Sequence, residues 1–507
     1  MRTLERALLA SLSCLAWLSS AAAETRLNVL VVTTDDMSWD SVGVYGCKLN
    51  DTTPHMDRLA SQSLRFVHAH VQVASCMPSR NVMFSGRYPH NNRVEGFDEV
   101  ENPGYPVLVD LMQAGGWFTG IRGKVRHSTP HAPYPAWDRV LDELPDGAKA
   151  HPKDSQSYYF STKAGIAAAR QAGKPFFLNI NISDPHEPFY GDGGRPDRNV
   201  PSHVFTADEV AVPGFLFDDP VVREELARYY SSVRRADDGL GAILRALEES
   251  GEYERTLIFF LSDHGMPLPF AKTQLYLHST RTPLMVRWPG VTRPGAADDR
   301  HMVSAVDLLP TLLDIVRLPR PRGLDGRSFE RLLRGKTQKG REFVVTAYHE
   351  DAEGQPRPMR AIVTKKLAYL FNPWSDGERV MTTATHGTLT YGRMQALAET
   401  DAEIAARLRL LDYRAPEELY DYAADPDALL NLIDSPGYRP QRERLTRTLE
   451  AWMKRTGDPL LDAFRKRDDP ALLQAYMARL EREAAERRPL RSGRGQGLAE
   501  RRRAEEP

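Results

Sequence analysis

The strongest constraint on the fold is a set of short apolar runs that alternate with helical patterns. The runs begin at Leu27, Phe118, Phe176 and Thr256 and are rich in β-branched and aromatic residues. Unbroken runs of this kind suit strands that are buried on both faces of a parallel sheet. Apolar residues recur at helical spacing over residues 221–251, and Gly251 is predicted to end that helix. The sequence therefore predicts an α/β fold, a mostly parallel sheet flanked by helices.

The pattern changes near residue 335. Strand-like pieces at "REFVVTAY" and "MRAIVTKKLAYLFN" precede a helical pattern near Leu445 to Met453, which predicts a smaller α+β subdomain. Past residue 465 the chain is rich in Arg, Glu and Ala, typical of a charged helix that runs into a disordered tail. Such a charge run is either simply solvated or able to capture a polyanionic chain. The predicted units are a catalytic domain at 24–335, a C-terminal subdomain at 336–465, and the charged helix with its tail at 466–507.

The first residues have the features of a signal peptide. A basic start and an apolar run lead to Ala21-Ala22-Ala23, so we expect residues 1–23 to be removed. A membrane anchor is the alternative, but the run is shorter than the ~20 residues that a spanning helix needs. Export predicts a periplasmic or extracellular protein, or a lysosomal one in a eukaryote. The mature chain would then keep only two cysteines, Cys47 and Cys76.

The overall charge gives no sign of a nucleic-acid or membrane partner. A formal charge of −1 with 27% charged residues creates no basic field for nucleic acid or an anionic membrane. An anionic substrate must therefore be met by a local cluster.

Charged and polar residues follow each predicted strand, where the loops of a parallel sheet converge on one edge. Each pair alone is explained by a turn or a helix cap. Three carboxylates gathered at one edge repel one another unless a cation neutralises them, so their joint occurrence points to a site. The residues are Asp35, Asp36, Lys124, His127, His186, Asp263 and His264.

The donor types indicate a hard divalent cation. Asp35, Asp36 and Asp263 supply oxygens, which suit Ca²⁺ better than zinc. An imidazole is an unusual Ca²⁺ ligand, so His264 leaves Mn²⁺ or Mg²⁺ open.

Cys76 lies in the stretch "VASCMPSRNVMFSGR" at the head of a predicted helix. Ser75 is placed to cap that helix, Pro78 suits its first turn, and Gly86 is expected to end it. The cysteine then faces the positive end of the helix dipole, where an anion is favoured. Three other interpretations are a small buried hydrophobe, a disulfide with Cys47, and a thiol nucleophile of lowered pKa.

The run Cys76-Met77-Pro78-Ser79-Arg80 matches the Cys-x-Pro-x-Arg signature by which sulfatases are recognised for conversion of the cysteine to formylglycine. The segments "DTTPHMDRLASQSLRF" and "GRYPHNN" around it look like the flanking sulfatase segments. The chain resembles the formylglycine-dependent sulfatase family over roughly residues 27–455. It is most similar to the members that remove N-sulfate from glucosamine, through "SDHGMPLPFAKTQLY", "RYYSSVRRADDGLGAILRALEESG" and "YRAPEELYDYAADPDALLNLI".

This resemblance implies an alkaline-phosphatase-like domain with a C-terminal subdomain built on a small antiparallel sheet. It also implies a formylglycine-generating enzyme as maturation partner and one bound Ca²⁺. Arg80 would hold the hydrated aldehyde, Lys124 and Lys272 would grip sulfate oxygens, and His127 and His186 would handle protons. The implied metal ligands are Asp35, Asp36, Asp263, His264 and the modified Cys76.

By the chemistry that the resemblance implies, one hydroxyl of the aldehyde hydrate attacks sulfur and forms a covalent sulfo-enzyme. The second hydroxyl then loses its proton and sulfate is expelled. The leaving amine or alkoxide needs a proton, for which His186 is the candidate donor.

The sequence departs from the family pattern at three places. One extra residue separates Lys124 from His127, so Arg126 is an alternative occupant of that neighbourhood. His264 and Lys272 stand where asparagine and arginine are expected in the N-sulfate-specific members.

The expected activity is hydrolysis of N-sulfate on glucosamine in heparan- or heparin-like saccharides. The alternatives are an O-sulfatase on sulfated sugars, a phosphonate monoester or phosphodiester hydrolase, and a silent saccharide-binding protein in which Cys76 stays a thiol. The expected partner is a sulfated saccharide, with a homodimer possible and no membrane span.

Overall fold

The structure is a computed structural model that describes residues 26–132, 137–192 and 197–505. The predicted signal peptide at 1–23 lies outside the described residues. Within the described part of the chain, no helix has the length and apolar character needed to cross a bilayer.

Strands and helices alternate through the first two thirds of the chain. The strands are β1 (Asn28–Asp35), β2 (Leu64–His70), β3 (Val100–Glu101), β4 (Phe118–Arg122), β5 (His131–Ala132), β6 (Arg139–Val140), β7 (Phe176–Pro185), β8 (Thr256–Ser262), β9 (Leu284–Arg287), β10 (Ala296–Ser304), β11 (Phe343–Glu350), β12 (Pro356–Thr364), β13 (Leu367–Phe371) and β14 (Glu417–Asp421). The helices are α1 (Pro54–Ser61), α2 (Cys76–Ser85), α3 (Pro89–Asn92), α4 (Leu108–Ala114), α5 (Val125–Ser128), α6 (Ser155–Gln171), α7 (Pro220–Glu249), α8 (Leu277–Thr280), α9 (Leu308–Ile315), α10 (Glu330–Leu333), α11 (Leu389–Ala398), α12 (Ala402–Tyr413), α13 (Arg439–Thr456), α14 (Leu461–Arg465) and α15 (Pro470–Glu505).

Eight strands form the main sheet in the order β10-β2-β9-β8-β1-β7-β4-β6. Among the described strands of this sheet, only β9 runs antiparallel to its neighbours. The four runs predicted from the sequence are the adjacent strands β8, β1, β7 and β4. The predicted mostly parallel sheet is therefore confirmed, and the carboxyl ends of these four strands lie side by side.

The composition of β1 explains why its run is unbroken. Val29 and Val31 belong to the core on one face of the sheet, and Leu30 and Val32 belong to the core on the other. Helices α6 and α7 cover the second of these faces, while α2, α4 and α9 cover the first. Since alternate side chains of a strand point to opposite faces, a strand covered on both sides requires apolar residues at every position.

A second, antiparallel sheet has the order β11-β12-β13-β14. One of its faces packs against α13, α14 and the start of α15 through Ile362, Tyr369 and Leu449. The other face, with Ala361 and Leu370, belongs to the same core as Leu30 and Val32 of the main sheet. The predicted smaller α+β part with an antiparallel sheet is confirmed.

The last helix, α15, spans the segment for which the sequence predicts a charged helix and then a disordered tail. Residues 506 and 507 lie outside the described part. The proposed division into a signal peptide and three further units stays a prediction.

The second sheet is tied to the chain that follows α13 by a fully buried ion pair. Arg360 of β12 donates from Nε to Oδ2 of Asp458 at 2.6 Å and from Nη2 to Oδ1 at 3.0 Å. Burial raises the pKa of the Asp458 carboxyl, but the Arg360 charge outweighs it and holds the pKa below its usual range. The pair is therefore charged at neutral pH.

Replacing Asp458 with alanine leaves a buried guanidinium without its counter-charge. We expect Asp458→Ala to lower the free energy of unfolding by about 3–5 kcal/mol, measured by denaturant titration. The matched control is Glu443→Ala, which removes an exposed pair with Arg447 at 3.7 Å and should change stability by about 0.5 kcal/mol or less. Equal losses in the two variants would contradict the assigned importance of the buried pair.

Candidate active site

The adjacent carboxyl ends of β8, β1, β7 and β4 bring the predicted residues together. Asp35 is the last residue of β1, and Asp36 follows it with a left-handed backbone, φ 70°. Asp263 comes directly after β8, and His186 directly after β7. Lys124 lies two residues past β4. The edge that the sequence pattern predicted is thus assembled from four neighbouring strands.

Helix α2 brings Cys76 and Arg80 to the same edge. Cys76 is the first residue of the helix, and Arg80 lies one turn later on the same face. Ser75 occupies the N-cap position, but its side chain makes no capping hydrogen bond, which differs from the prediction. Gly86 ends the helix with φ 63°, as expected.

The thiol of Cys76 is not in a disulfide. Cys76 is buried and free, and Cys47 is free and half-buried, with its sulfur 3.5 Å from the hydroxyl of Thr52. The alternative of a Cys47–Cys76 disulfide is therefore wrong.

Arg80 is the central cation of the site. It is fully buried, and its Nη2 lies 2.9 Å from Oδ2 of Asp263 and 3.5 Å from Oδ1 of Asp35. Its Nη1 donates to Oγ1 of Thr33 at 2.7 Å and to Oδ1 of Asn181 at 2.6 Å. Burial alone would lower the pKa of Arg80, but the two carboxylates raise it. The guanidinium thus stays charged and joins α2 to β1, β7 and β8.

Four side chains converge on one small space that suits a cation. Ligand atoms of Asp35, Cys76, Asp263 and His264 all lie within 4.8 Å of one another, and all four residues are buried. Both carboxylate oxygens of Asp35 and Oδ2 of Asp263 are buried without a partner in good hydrogen-bond geometry, although nitrogens of Lys124 and Arg80 lie 2.5–3.5 Å from them. Buried carboxylates need positive charge beside them, which these side chains supply and to which a bound cation would add. This donor set fits a divalent metal ion, and its oxygen content favours a hard one.

Asp36 and His264 extend this group. Nε2 of His264 lies 3.1 Å from Oδ1 of Asp36 and 3.5 Å from the sulfur of Cys76. Burial lowers the pKa of His264, but Asp263 and Asp36 outweigh it and raise the pKa to about 9. A metal ion bound through this imidazole must therefore displace a proton.

Two lysines pair with the two acids after β1. Nζ of Lys124 lies 2.5 Å from Oδ2 of Asp35, and Nζ of Lys272 lies 2.7 Å from Oδ2 of Asp36. Burial lowers the pKa of both ammonium groups, but the neighbouring carboxylates raise it overall. Both lysines therefore stay cationic beside residue 76.

The same charges act on the cysteine. Burial raises the pKa of the Cys76 thiol, but Lys272, Lys124 and a hydrogen bond with His127 outweigh it, so the pKa falls well below its usual range. An anionic group at this position is therefore stabilised by the surrounding protein.

Two histidines flank Cys76. His127 is near enough to hydrogen-bond with Cys76, and burial lowers the pKa of its imidazole. Arg126 instead turns toward Glu99, with its Nε 3.4 Å from Oε1, and its side chain is 38% exposed. The structure thus brings His127, and not Arg126, to the cysteine, and the extra residue is accommodated in the short helix α5.

His186 lies on the other side. Its Nδ1 is 2.6 Å from the carbonyl oxygen of Glu187, and its Nε2 is 4.0 Å from Oδ2 of Asp36. Ligand atoms of Asp36, Cys76 and His186 lie within 4.8 Å of one another. With a third of its side chain exposed, His186 is open to a ligand that enters from solvent.

Sequence reasoning missed the residues that hold Arg80. Asn181 accepts from Arg80 and donates to the carbonyl oxygens of Arg122 and Gly123, at 3.1 Å and 2.8 Å. The signal was present, because polar Asn179 and Asn181 interrupt an otherwise apolar strand.

Comparisons with known proteins identify the family of the chain. The sulfatase family model matches residues 27–318, and a model described as "N-sulphoglucosamine sulphohydrolase, C-terminal" matches residues 263–376. Human N-sulphoglucosamine sulphohydrolase is 29% identical over 471 residues, covering 85% of this chain and 91% of the relative. An ulvan-active sulfatase of Formosa agariphila is 27% identical, covering 87% of this chain and 82% of the relative.

Solved structures show the same fold. The phosphonate monoester hydrolase of Agrobacterium radiobacter superposes with a TM-score of 0.62 at 19% identity, covering 85% of this chain and 96% of that one. The expected alkaline-phosphatase-like architecture is confirmed, as is the likeness to N-sulphoglucosamine sulphohydrolase. Because the sulfatase model spans more than half of the sequence, the chain belongs to the sulfatase family.

Proposed function

We propose that this sulfatase removes N-sulfate from glucosamine units of heparan- or heparin-like saccharides, with Cys76 converted to formylglycine. The observation that carries the proposal is the setting of Cys76 at the head of α2, where carboxylates, lysines and histidines surround it. Similarity to N-sulphoglucosamine sulphohydrolase over most of the chain supports the N-sulfate substrate.

Asp35, Asp36, Asp263, His264 and residue 76 would hold one divalent cation, for which Ca²⁺ fits the oxygen donors best. When bound, the cation supplies positive charge for the anionic sulfur group and for the oxygens of the aldehyde hydrate. Arg80 keeps the acids in place and holds the hydrate. Lys124 and Lys272 bind and orient the anionic sulfur group.

A plain thiol or serine hydroxyl cannot replace the aldehyde hydrate. The hydrate offers one hydroxyl for attack on sulfur and a second whose deprotonation releases sulfate. His127 stands beside residue 76, where it can take up a proton. His186 stands across from it, where it can donate a proton to the leaving nitrogen.

The proposed setting includes maturation and export. Conversion of Cys76 needs a formylglycine-generating enzyme, and the features of residues 1–23 favour export to the periplasm, the extracellular space or a lysosome. A homodimer is part of the proposal, not an observation.

The substrate is tested with a panel of three compounds. We expect N-sulfated glucosamine to be hydrolysed with a higher kcat/KM than 6-O-sulfated glucosamine or a phosphonate monoester. Released sulfate, or released alcohol for the phosphonate, is the measurement. Preference for the O-sulfate or the phosphonate would replace the N-sulfate proposal with that activity.

The state of residue 76 is tested by mass spectrometry. The proteolytic peptide that contains residue 76, taken from protein matured with its generating enzyme, should carry an aldehyde or its hydrate. Cys76→Ala should abolish hydrolysis, whereas the control Cys47→Ala should leave it intact, because the sulfur of Cys47 lies beside Thr52 and is not part of the group of side chains around residue 76. An intact thiol at position 76 in an active preparation would refute the formylglycine mechanism, and in an inactive one would favour a saccharide-binding protein.

The donor role of His186 is tested through the leaving group. In His186→Ala, kcat for the sulfamate should fall about 10²–10⁴-fold, because the leaving amine departs poorly without a proton. An aryl sulfate, whose leaving group needs no proton, should lose much less. The control is His203→Ala, since His203 is about half exposed and its partners are Glu209, at 3.8 Å, and the ring of Phe205. Equal losses on both substrates would assign His186 to binding instead.

A further inference from the structure

Residues 183–187, the end of β7 and the bend that follows it, form the turn that carries His186, and a buried carboxylate anchors this turn. Asp184 precedes His186 by two residues and is 2% exposed. Its Oδ1 lies 2.9 Å from Nζ of Lys153, and its Oδ2 accepts from Nε of Arg235 at 2.8 Å. Nη2 of Arg235 also donates to Oδ1, at 3.1 Å. Two cations from distant parts of the chain thus hold one carboxylate.

Lys153 contacts the turn at three points. Besides Asp184, its ammonium group donates to the carbonyl oxygen of Ser183 at 3.4 Å and to that of His186 at 2.5 Å. A lysine ammonium has three N–H donors. All three are used by this one turn, so Lys153 has no donor left for a ligand. Through these contacts Lys153 holds the backbone of the turn in place.

Arg235 connects the turn to helix α7. It is 2% exposed and lies in α7, with Nη1 2.7 Å from Oδ2 of Asp197 and 3.0 Å from the carbonyl oxygen of Asn199. The set of Lys153, Arg235, Asp184 and Asp197 contains two positive and two negative groups. Its charges therefore balance within the protein, without a substrate.

Stability alone is a weak reason for such a set. Burying ion pairs costs desolvation that apolar residues of similar volume would avoid, so a buried pair often contributes little to stability. What the set does provide is one defined position for the backbone at residue 186. From that position, and with Nδ1 held by Glu187, Nε2 of His186 faces Asp36 and Cys76.

We propose that Lys153 is a positioning residue for His186, acting through Asp184 and the carbonyl oxygens of Ser183 and His186. The inference rests on the proposed role of His186 as proton donor. Lys153 contacts no reacting atom. Proton transfer to the leaving nitrogen tolerates little displacement of the donor, since a shift of about 1 Å costs on the order of 10²-fold in rate.

The test compares Lys153→Met with the matched control Lys174→Met, because Lys174 is exposed on the loop after α6. Lys153→Met should lower kcat for the sulfamate on the order of 10²-fold and leave KM nearly unchanged. Its kcat for an aryl sulfate should change by less than about threefold, because that leaving group needs no proton. Lys174→Met should match the unmodified protein on both substrates.

A double-mutant cycle gives the sharper measurement. If Lys153 acts through His186, then Lys153→Met added to His186→Ala should cost less than about threefold further on the sulfamate. Full additivity of the two losses would overturn the inference, as would equal losses of Lys153→Met on both substrates. A thermal unfolding midpoint for each variant identifies losses that come from unfolding.

If Lys153→Met does not fold, the variant Asp184→Asn tests the same contact. It keeps the shape of the side chain while weakening both ion pairs, and it should show the same split between sulfamate and aryl sulfate. If His186→Ala itself shows no dependence on the leaving group, the proposed donor role fails and this inference fails with it. If His186→Ala behaves as proposed but the cycle is additive, only the role of Lys153 is refuted.

Discussion

The pairing of buried carboxylates with buried cations is the constraint on which the rest of this structure depends. Asp35, Asp36 and Asp263 are completely removed from solvent. A carboxylate in that position is tolerated only with a counter-charge, because desolvation costs several kcal/mol for each ion. The chain supplies the counter-charges from three separate segments, through Arg80, Lys124 and Lys272. The fold must therefore bring the acids and the cations of the site together, since neither group can be buried alone.

Arg80 shows how this pairing fixes the reactive position. Its guanidinium is held by Thr33 of β1, Asn181 of β7 and Asp263 after β8, so the axial position of α2 is set by the sheet. Cys76 lies one turn earlier on the same helix and is placed with it. The hydroxyl of Ser79 adds a 2.6 Å hydrogen bond to the carbonyl oxygen of Asp263. The residue that carries the proposed function thus sits on a rigid element rather than on a loop.

The sequence allowed prediction of whatever depends on local pattern. Runs such as that of β1 predicted buried parallel strands, because a strand needs apolar residues at every position when both of its faces are covered. Residues directly after those strands were predicted to meet because parallel strands end at one edge. Contacts that depend on pairing register could not be predicted, including the bonds of Asn181 to Arg80. The sequence likewise left Arg126 open as an alternative to His127, because which of the two side chains reaches Cys76 depends on how α5 turns. Lys153 was missed because it precedes a helix and follows no strand.

Charge also bears on which substrate such a site accepts. Three carboxylates and three cations form a neutral set, and a divalent ion added to it leaves an excess of positive charge for an anionic group. That excess does not separate a sulfamate from a sulfate ester or a phosphonate monoester, since each presents a tetrahedral centre with anionic oxygens. The compounds differ in the atom that leaves, and a leaving nitrogen depends most on a proton delivered at the right place. Selectivity for N-sulfate would then arise less from the lysines and acids than from the turn of His186, whose backbone is held by Lys153 and Asp184.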